Sequence, residues 1–349
     1  MKLYTLKVTD IRQETQDSVT ILFKQPGLKR IKYIAGQYLS LIFRINGRRY
    51  VRPYSFSSAP GVDETLNITV KRVPAGIVSN HIFDKLKIED VLEVIEPMGD
   101  FVLPANTQTS DKHIYLWGAG SGITPLISIA KDALYGNKAT SITLAYGNRD
   151  YENIIFSTVI EDLNKRFAGI FFPYHFITKP FVDIDNPNVV QGRITEKEIR
   201  DLLNGSQGNL KNTIHFICGP VGLKESIKST LNELGVENSN IFSEDFEVIR
   251  NPKDFEDIIT QNVLIKRGGE SKTVEVTFGK SILEAGLDAL MELSYSCQTG
   301  NCLVCKARII KGDVRMIGVE KLPELLESDE CLLCSSFPVS DNVEISIEY

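Results

Sequence analysis

The chain has 349 residues, of which 42% are hydrophobic and 24% charged, with a formal net charge of −6 at neutral pH. This length leads to an expectation of two or three domains, and with no proline-rich or glycine–serine tract disorder is not the default. The acidic balance gives no footing for nucleic acid; the longest apolar run, residues 113–130, is broken by glycines, serines and Pro125 and makes a poor membrane span; and the first ten residues turn polar without a signal-peptide core, so a cytoplasmic protein is expected.

The first hundred residues read as short strands. "VTILF", "QYLSLIF", "TLNITV" and "VLEVIEP" are β-rich runs, and in "TLNITV" Leu66, Ile68 and Val70 are expected inward with Asn67 and Thr69 outward. An antiparallel barrel over residues 1–106 is the natural closure, interrupted by one helix, "SNHIFDKL". Over residues 107–248 strands alternate with helices: "HIYLWGAG", "SITLAYG", "FFPYHFIT", "TIHFICG" and "NIFSEDF" against "TPLISIAKDAL", "NIIFSTVIEDLNKRF", "TEKEIRDLL" and "GLKESIKSTLNEL". That alternation predicts a doubly wound α/β domain with a parallel sheet, and Thr195 with Glu198 forms a capping box for its third helix. A charged, proline-marked linker is expected over 249–259. A last domain, 260–349, holds the strands "NVLIKRG" and "KTVEVTFG", the helix "SILEAGLDAL", a cysteine loop and a closing strand, "VEISIEY".

Five of the six cysteines lie between positions 297 and 334, a clustering that points to metal or redox chemistry rather than a secreted disulfide framework. Four residues separate Cys297 from Cys302 and two separate Cys302 from Cys305, the plant-type [2Fe–2S] spacing, which awaits a distant fourth thiolate. Gly300 supplies backbone freedom for the wrap. A four-cysteine zinc site is the rival, although zinc sites usually present two matched pairs. Spacing hardly separates Cys331 from Cys334 as the fourth ligand. Cys334 lies in an apolar run and Cys331 follows an acidic turn expected to be solvated, so Cys334 is favoured and Cys331 is read as a bystander. A Rieske centre is set aside, since all four histidines precede the loop by more than eighty residues. The last domain has 14 acidic against 9 basic residues, a balance that can steer a basic docking partner.

In "LWGAGSGITPL" Gly118, Gly120 and Gly122 stand between a strand and a helix, where backbone can approach a pyrophosphate and a helix N-terminus, with Pro125 in its first turn, can face it. The acidic ribose ligand often found about 20 residues further on is not apparent. Arg149, in "YGNRD", is open to two readings, a partner for an adenosine 2′-phosphate or a solvated loop residue. "RPYSFSS" is open to two readings, an ordinary β-strand carrying an Arg and a Tyr, which read alone it most resembles, or a cofactor strand in which Arg52 suits a phosphate, Tyr54 the face of an aromatic cofactor and Ser55 a ring nitrogen. "GIVS" is either a phosphate seat or a helix start capped by Ser79.

Taken in order, "RPYS" (52–55), "GIVS" (76–79), "GAGSGITP" (118–125), "YGNR" (146–149), "CGP" (218–220), "EDF" (244–246) and the cysteines resemble the ferredoxin–NADP reductase superfamily, in the subgroup with a C-terminal plant-type ferredoxin domain. The resemblance implies a flavin-binding antiparallel β-barrel, an α/β doubly wound nucleotide domain and an α+β β-grasp ferredoxin domain. It implies FAD held by Arg52, Pro53, Tyr54 and Ser55, with Gly76, Ile77 and Ser79 at its phosphates. NADH or NADPH is implied at Gly118, Gly120, Thr124, Pro125 and Arg149, with Cys218, Gly219 and Pro220 beside the nicotinamide and Phe246 near the flavin. Ser55 and Cys218 are the residues implied in hydride transfer, and Cys297, Cys302, Cys305 and Cys334 the cluster ligands. The implied function is electron transfer from NAD(P)H through FAD and [2Fe–2S] to a protein acceptor. The chain looks like the reductase components of multicomponent oxygenases, the phenylacetyl-CoA epoxidase type among them. A desaturase or hybrid-cluster partner, or a non-catalytic redox-sensing module, are the alternatives. One departure stands out: where many relatives place a small residue after the second cysteine, this chain has Leu303.

Overall fold

The computed structural model describes residues 2–25, 30–104, 109–179, 186–204, 210–246, 248, 250–319 and 325–347. The expected domain boundary at 106/107, Glu247 and Ile249 beside and in the expected linker, and Glu348 and Tyr349 of the expected closing strand lie outside them. The chain forms two compact units, Tyr4–Leu39 with Tyr54–Asp245, and Met1–Leu3 with Ser40–Pro53 and Phe246–Tyr349.

Strands β1 (Leu3–Thr15), β2 (Ser18–Lys24), β3 (Tyr38–Ile45), β4 (Arg48–Ser55), β5 (Leu66–Lys71) and β6 (Val91–Met98) belong to one six-stranded, barrel-like sheet, with helix α1 (Ile77–Lys85) between β5 and β6. β2 pairs antiparallel with both β1 and β5. The alternation expected in β5 holds for Leu66, Ile68 and Val70 but not for Thr69, which is buried. Its hydroxyl is satisfied by Thr20 Oγ1 at 2.8 Å and Ser57 Oγ at 3.0 Å, so a polar residue sits inside at little cost.

The α/β part has strands β7 (His113–Ala119), β8 (Ser141–Asn148), β9 (Phe171–Ile177), β10 (Val189–Gln191), β11 (Thr213–Cys218) and β12 (Ile241–Glu244), all parallel in the order β10-β9-β8-β7-β11-β12. Helices α2 (Ile123–Tyr135) and α3 (Ser157–Arg166) pack on one face through Leu126, Ile129, Ile160 and Leu163. Helices α4 (Glu196–Asn204) and α5 (Val221–Glu233) cover the other through Ile199, Leu203, Ile227 and Leu231. Burial on both faces explains why "IYLWG" and "TIHFIC" are nearly continuous apolar runs. β10 was not expected from the pattern. The third helix read from sequence, α4, follows Thr195, whose N–H donates to the Glu198 carboxylate at 3.2 Å. α3 begins four residues later than its periodicity suggests, because Phe156 adopts φ +64° and breaks the helical path. α2 is apolar almost all round because its second face is also occupied: Ser128 Oγ donates to Ser58 O at 2.6 Å, and Lys131 Nζ reaches Ser57 O and Asp63.

The C-terminal part holds β13 (Gln261–Arg267), β14 (Glu270–Val276), α6 (Ile282–Asp288), β15 (Lys306–Lys311), β16 (Val314–Met316), β17 (Glu330–Leu332), β18 (Ser336–Pro338) and β19 (Val343–Ile347). Five strands make a mixed sheet of order β14-β13-β19-β15-β17 in which β13 and β19 run parallel, while β16 and β18 form a separate ribbon. One helix crossing such a sheet is the β-grasp arrangement. α6 starts on a full capping box, Ser281 with Glu284. Ahead of this sheet, Phe255 and Ile258 bury against Ile317 and Phe337.

Candidate active site and metal centre

The strand order reverses between β7 and β11, and in an open α/β sheet that is where a crevice opens at the strands' carboxyl ends. Gly118 and Cys218 face each other across that point, and Glu244 ends β12 opposite Cys218. The glycine loop fits against "CGP" without room for side chains. A Cβ on Gly122 would lie 2.0 Å from Cys218 O, and one on Gly118 2.7 Å from Leu126 Cδ1. Gly120 differs: its φ is +54° and an added Cβ would meet open space, the cradle a dinucleotide pyrophosphate needs. Thr124 and Pro125 are buried in the first turn of α2, Thr124 Oγ1 donating to Ser121 O at 3.0 Å. Beneath the loop the fully buried Tyr146 donates its hydroxyl to Gly120 O at 2.8 Å and so pins the turn from below. Tyr146 was not among the expected site residues, although it opens the "YGNR" motif.

Ser55, at the end of β4 and 4% exposed, donates Oγ to Glu244 Oε2 at 3.2 Å. Glu244 is partly buried, and desolvation of its carboxyl group pushes the pKa up to about 8, with Asp245 adding to the rise and the Ser55 hydrogen bond opposing it. A carboxyl that holds a proton near neutral pH thus touches the hydroxyl expected at the flavin ring. The sequence motif "EDF" contains Glu244 but assigns it no role; its place at the carboxyl end of the last parallel strand was the available signal. Burial, with the charges of Glu244 and Asp245, raises the Cys218 thiol well above its usual range, so it packs as a neutral group.

The remaining expected residues are less converged. Ser79 does not cap α1, whose N-cap is Gly76; its hydroxyl accepts from Val73 N at 3.1 Å and closes the loop that presents the helix start. Ile77 is half-exposed there. Arg52, next to Pro53 on β4, donates Nη1 to Val51 O at 2.8 Å, and Tyr54 is partly buried. Gly219 approaches Ala119, its added Cβ 3.2 Å from that backbone N, and Pro220 caps α5. Arg149 is exposed after β8 and Phe246 is 46% exposed.

In the C-terminal part the cysteines meet as two pairs. Cys297 N donates to Cys302 Sγ at 3.5 Å and Thr299 N to Cys297 Sγ at 3.4 Å. The Cys302 thiol and the amides of Thr299 and Asn301 favour the thiolate of Cys297, and the Cys305 thiol does the same for Cys334. Two pairs suit two iron ions, each taking two thiolates. Shielding from solvent, the expected ground for preferring Cys334, does not hold. Cys331 is not solvated but fully buried, more so than Cys334, and burial pushes its thiol up to about 11. What separates them is direction: Cys331 lies in β17 opposite Ala307, and its hydrogen-bond partner is Ser336, whereas Cys334 turns to Cys305. Gln298, Gly300 and Leu303 all have positive φ, so the loop wraps through left-handed turns that let its amides point at sulfur.

A barrel-like sheet, an α/β crevice lined by a glycine loop and two cysteine pairs are the arrangement of a modular electron-transfer oxidoreductase. Comparison with known proteins agrees along the chain. Residues 5–103 match the oxidoreductase FAD-binding domain family, 116–229 the oxidoreductase NAD-binding domain family and 265–339 the 2Fe-2S iron-sulfur cluster binding domain family. The chain is 30% identical to the ferredoxin reductase component of 3-ketosteroid-9-alpha-monooxygenase from Rhodococcus rhodochrous, over 97% of this chain and 95% of that protein. It is 27% identical to one of the subunits of the 1,2-phenylacetyl-CoA epoxidase of Escherichia coli, over 99% of this chain and 98% of that protein. Phthalate dioxygenase reductase shares the fold, with a TM-score of 0.68 at 22% identity over 99% of this chain and 98% of that one. The chain belongs to the ferredoxin–NADP reductase superfamily, in the subgroup with a C-terminal [2Fe–2S] domain. It is an NAD(P)H-dependent oxidoreductase of FAD and a [2Fe–2S] cluster.

Proposed function

We propose that this protein is the reductase component of a multicomponent oxygenase, delivering electrons singly from its [2Fe–2S] domain to an oxygenase partner of the phenylacetyl-CoA epoxidase or ketosteroid monooxygenase kind. The observation that carries this is coverage: both named relatives match over nearly their whole length, with all three cofactor regions present in one chain. The FAD supplies the exchange between a two-electron hydride donor and a one-electron acceptor, and the cluster supplies that acceptor.

This chain's residues prepare each step. Gly118, Gly120 and Gly122 let the backbone approach the nucleotide pyrophosphate, with Tyr146 fixing Gly120. Cys218, Gly219 and Pro220 shape the nicotinamide side of the crevice and keep a neutral thiol there. Tyr54 offers a ring face to the flavin, and Arg52 with the α1 start of Gly76, Ile77 and Ser79 offers positive potential to its phosphates. Ser55 orients toward the ring, and Glu244 behind it holds a proton for that hydroxyl to exchange. Cys297 with Cys302, and Cys305 with Cys334, are the cluster ligands. Arg149, exposed beyond β8, meets a 2′-phosphate where the nucleotide has one. A cytoplasmic site of action fits the clustered cysteines, four of which must stay reduced to bind iron; no helix of the described residues is long and apolar enough to cross a membrane.

The test is anaerobic addition of NADH or NADPH to the purified protein, followed by addition of candidate oxygenase components with substrate. Bleaching of flavin and cluster absorbance, then product formation with an acyl-CoA epoxidase or steroid hydroxylase component, is expected. Bleaching without product from either, but with a desaturase, would move the partner to the alternative class.

A further inference from the structure

The loop that carries Cys297 is bonded to the strand that carries the flavin motif, by residues with no assigned role. β4 is the edge strand of its six-stranded sheet, so its outward N–H and C=O groups need partners from elsewhere. Tyr295 supplies two. Its hydroxyl accepts from Val51 N at 3.0 Å and donates to Arg49 O at 3.2 Å, taking the place of a neighbouring strand. Gln298 Nε2 donates to Val51 O at 3.2 Å. Around these bonds Arg49 Nη1 reaches Leu293 O at 3.3 Å, and the buried hydroxyls of Ser40 and Ser296 lie 2.6 Å apart.

The placement is specific. Tyr295 is 1% exposed and Val51 fully buried, so neither group has water as an alternative partner. Gln298 directly follows Cys297 with φ +60°, a conformation unfavourable for glutamine that here accompanies the turn of its amide to the strand. The carbonyl it meets, Val51 O, is the same one that accepts from Arg52 Nη1 at 2.8 Å. Arg52, Pro53, Tyr54 and Ser55 then continue the same strand.

We infer that Tyr295 and Gln298 are positioning residues for flavin-to-cluster electron transfer: they clamp the Cys297 side of the cluster loop to Arg49 and Val51 of β4, the strand that continues into the flavin motif. The electron passed between these residues' neighbours would come from a flavin reduced by NAD(P)H and would reduce one ferric ion of the cluster, one electron lost and one gained. The inference rests on the reading that the flavin lies against Tyr54 and Ser55.

The experiment compares Tyr295→Phe, Gln298→Ala and the double variant with the unmodified holoprotein. Hydrogen exchange reads the clamp directly, and faster exchange is expected for amides of residues 49–52. Stopped-flow absorbance after NAD(P)H mixing reads the steps: unchanged flavin reduction and ferricyanide turnover are expected, with flavin-to-cluster transfer slowed about fivefold for each bond removed. Paramagnetic resonance of the dithionite-reduced protein is expected to show an unaltered cluster. Faster exchange with transfer at the unmodified rate would overturn the inference. If Tyr295→Phe does not retain a cluster, Gln298→Ala, which leaves no buried hydroxyl site behind, decides the question by the same rate. Failure of NAD(P)H to reduce the flavin in the unmodified protein would overturn the reading of the flavin site and the inference with it.

Discussion

Ser55 Oγ donates a hydrogen bond to Glu244 Oε2 at 3.2 Å, joining the end of β4 to the end of β12. Burial raises the Glu244 pKa from an ordinary 4.5 to about 8, so the folded protein holds this proton more tightly than the unfolded chain. Its contribution to stability is therefore full below pH 4.5 and is lost as pH rises through about 8. Glu244→Gln is expected to flatten the fall in melting temperature across that window. It is also expected to slow flavin reduction by NAD(P)H on the order of a hundredfold, the low end for a positioned proton carrier. Thermal melts and stopped-flow rates against pH check both.

The two candidate fourth ligands give opposite phenotypes. Cys334→Ser is expected to abolish the cluster's paramagnetic signal and cytochrome c reduction while ferricyanide reduction at the flavin persists. Cys331→Ser is expected to keep the cluster and lower stability by about 1–2 kcal/mol, since a hydroxyl replaces a buried, neutral thiol. The reverse pattern would make Cys331 the ligand.

Tyr146→Phe removes the hydroxyl that holds Gly120 O and leaves a carbonyl short of a partner. A loss of roughly 1 kcal/mol in nucleotide binding, or about a fivefold rise in KM for NAD(P)H with kcat little changed, is expected. Steady-state ferricyanide assays separate the two constants.

If Arg149 meets a 2′-phosphate, Arg149→Ala is expected to weaken NADPH use by about tenfold and leave NADH use unchanged, the scale of a charge-assisted pair. Equal loss with both nucleotides would return Arg149 to an ordinary loop residue.

Leu303 follows Cys302 with φ +61°, a backbone region that costs a leucine about 1–2 kcal/mol. Leu303→Gly relieves that strain, and an apo-protein at least as stable is expected by chemical denaturation. Since Cys302 is the least buried of the four paired cysteines, the same change is expected to alter turnover with the partner oxygenase but not with ferricyanide.

The three cofactor regions were legible in the sequence because each depends on local spacing: a glycine turn between strand and helix, an Arg-Pro-Tyr-Ser strand, cysteines separated by four and by two residues. Sequence also determined the fold classes, through alternation in the N-terminal part and the strand–helix rhythm after it. Other features were decided only by tertiary structure, because they depend on which elements meet. Thr69 lies inside because Thr20 and Ser57 wait for its hydroxyl. Cys331 is buried yet turned away, because strand pairing with Ala307, not the acidic turn before it, sets its direction. Glu244 becomes a proton holder only where the fold desolvates its carboxyl group, and Tyr295 and Gln298 gain a role only because β4 lies at the end of its sheet. These partners lie nearly 190 to 250 residues apart in the chain, beyond the reach of any periodicity. The sequence named the cofactors, whereas the side-chain roles proposed for them rest on hydrogen-bond direction and burial, which are properties of the assembled fold.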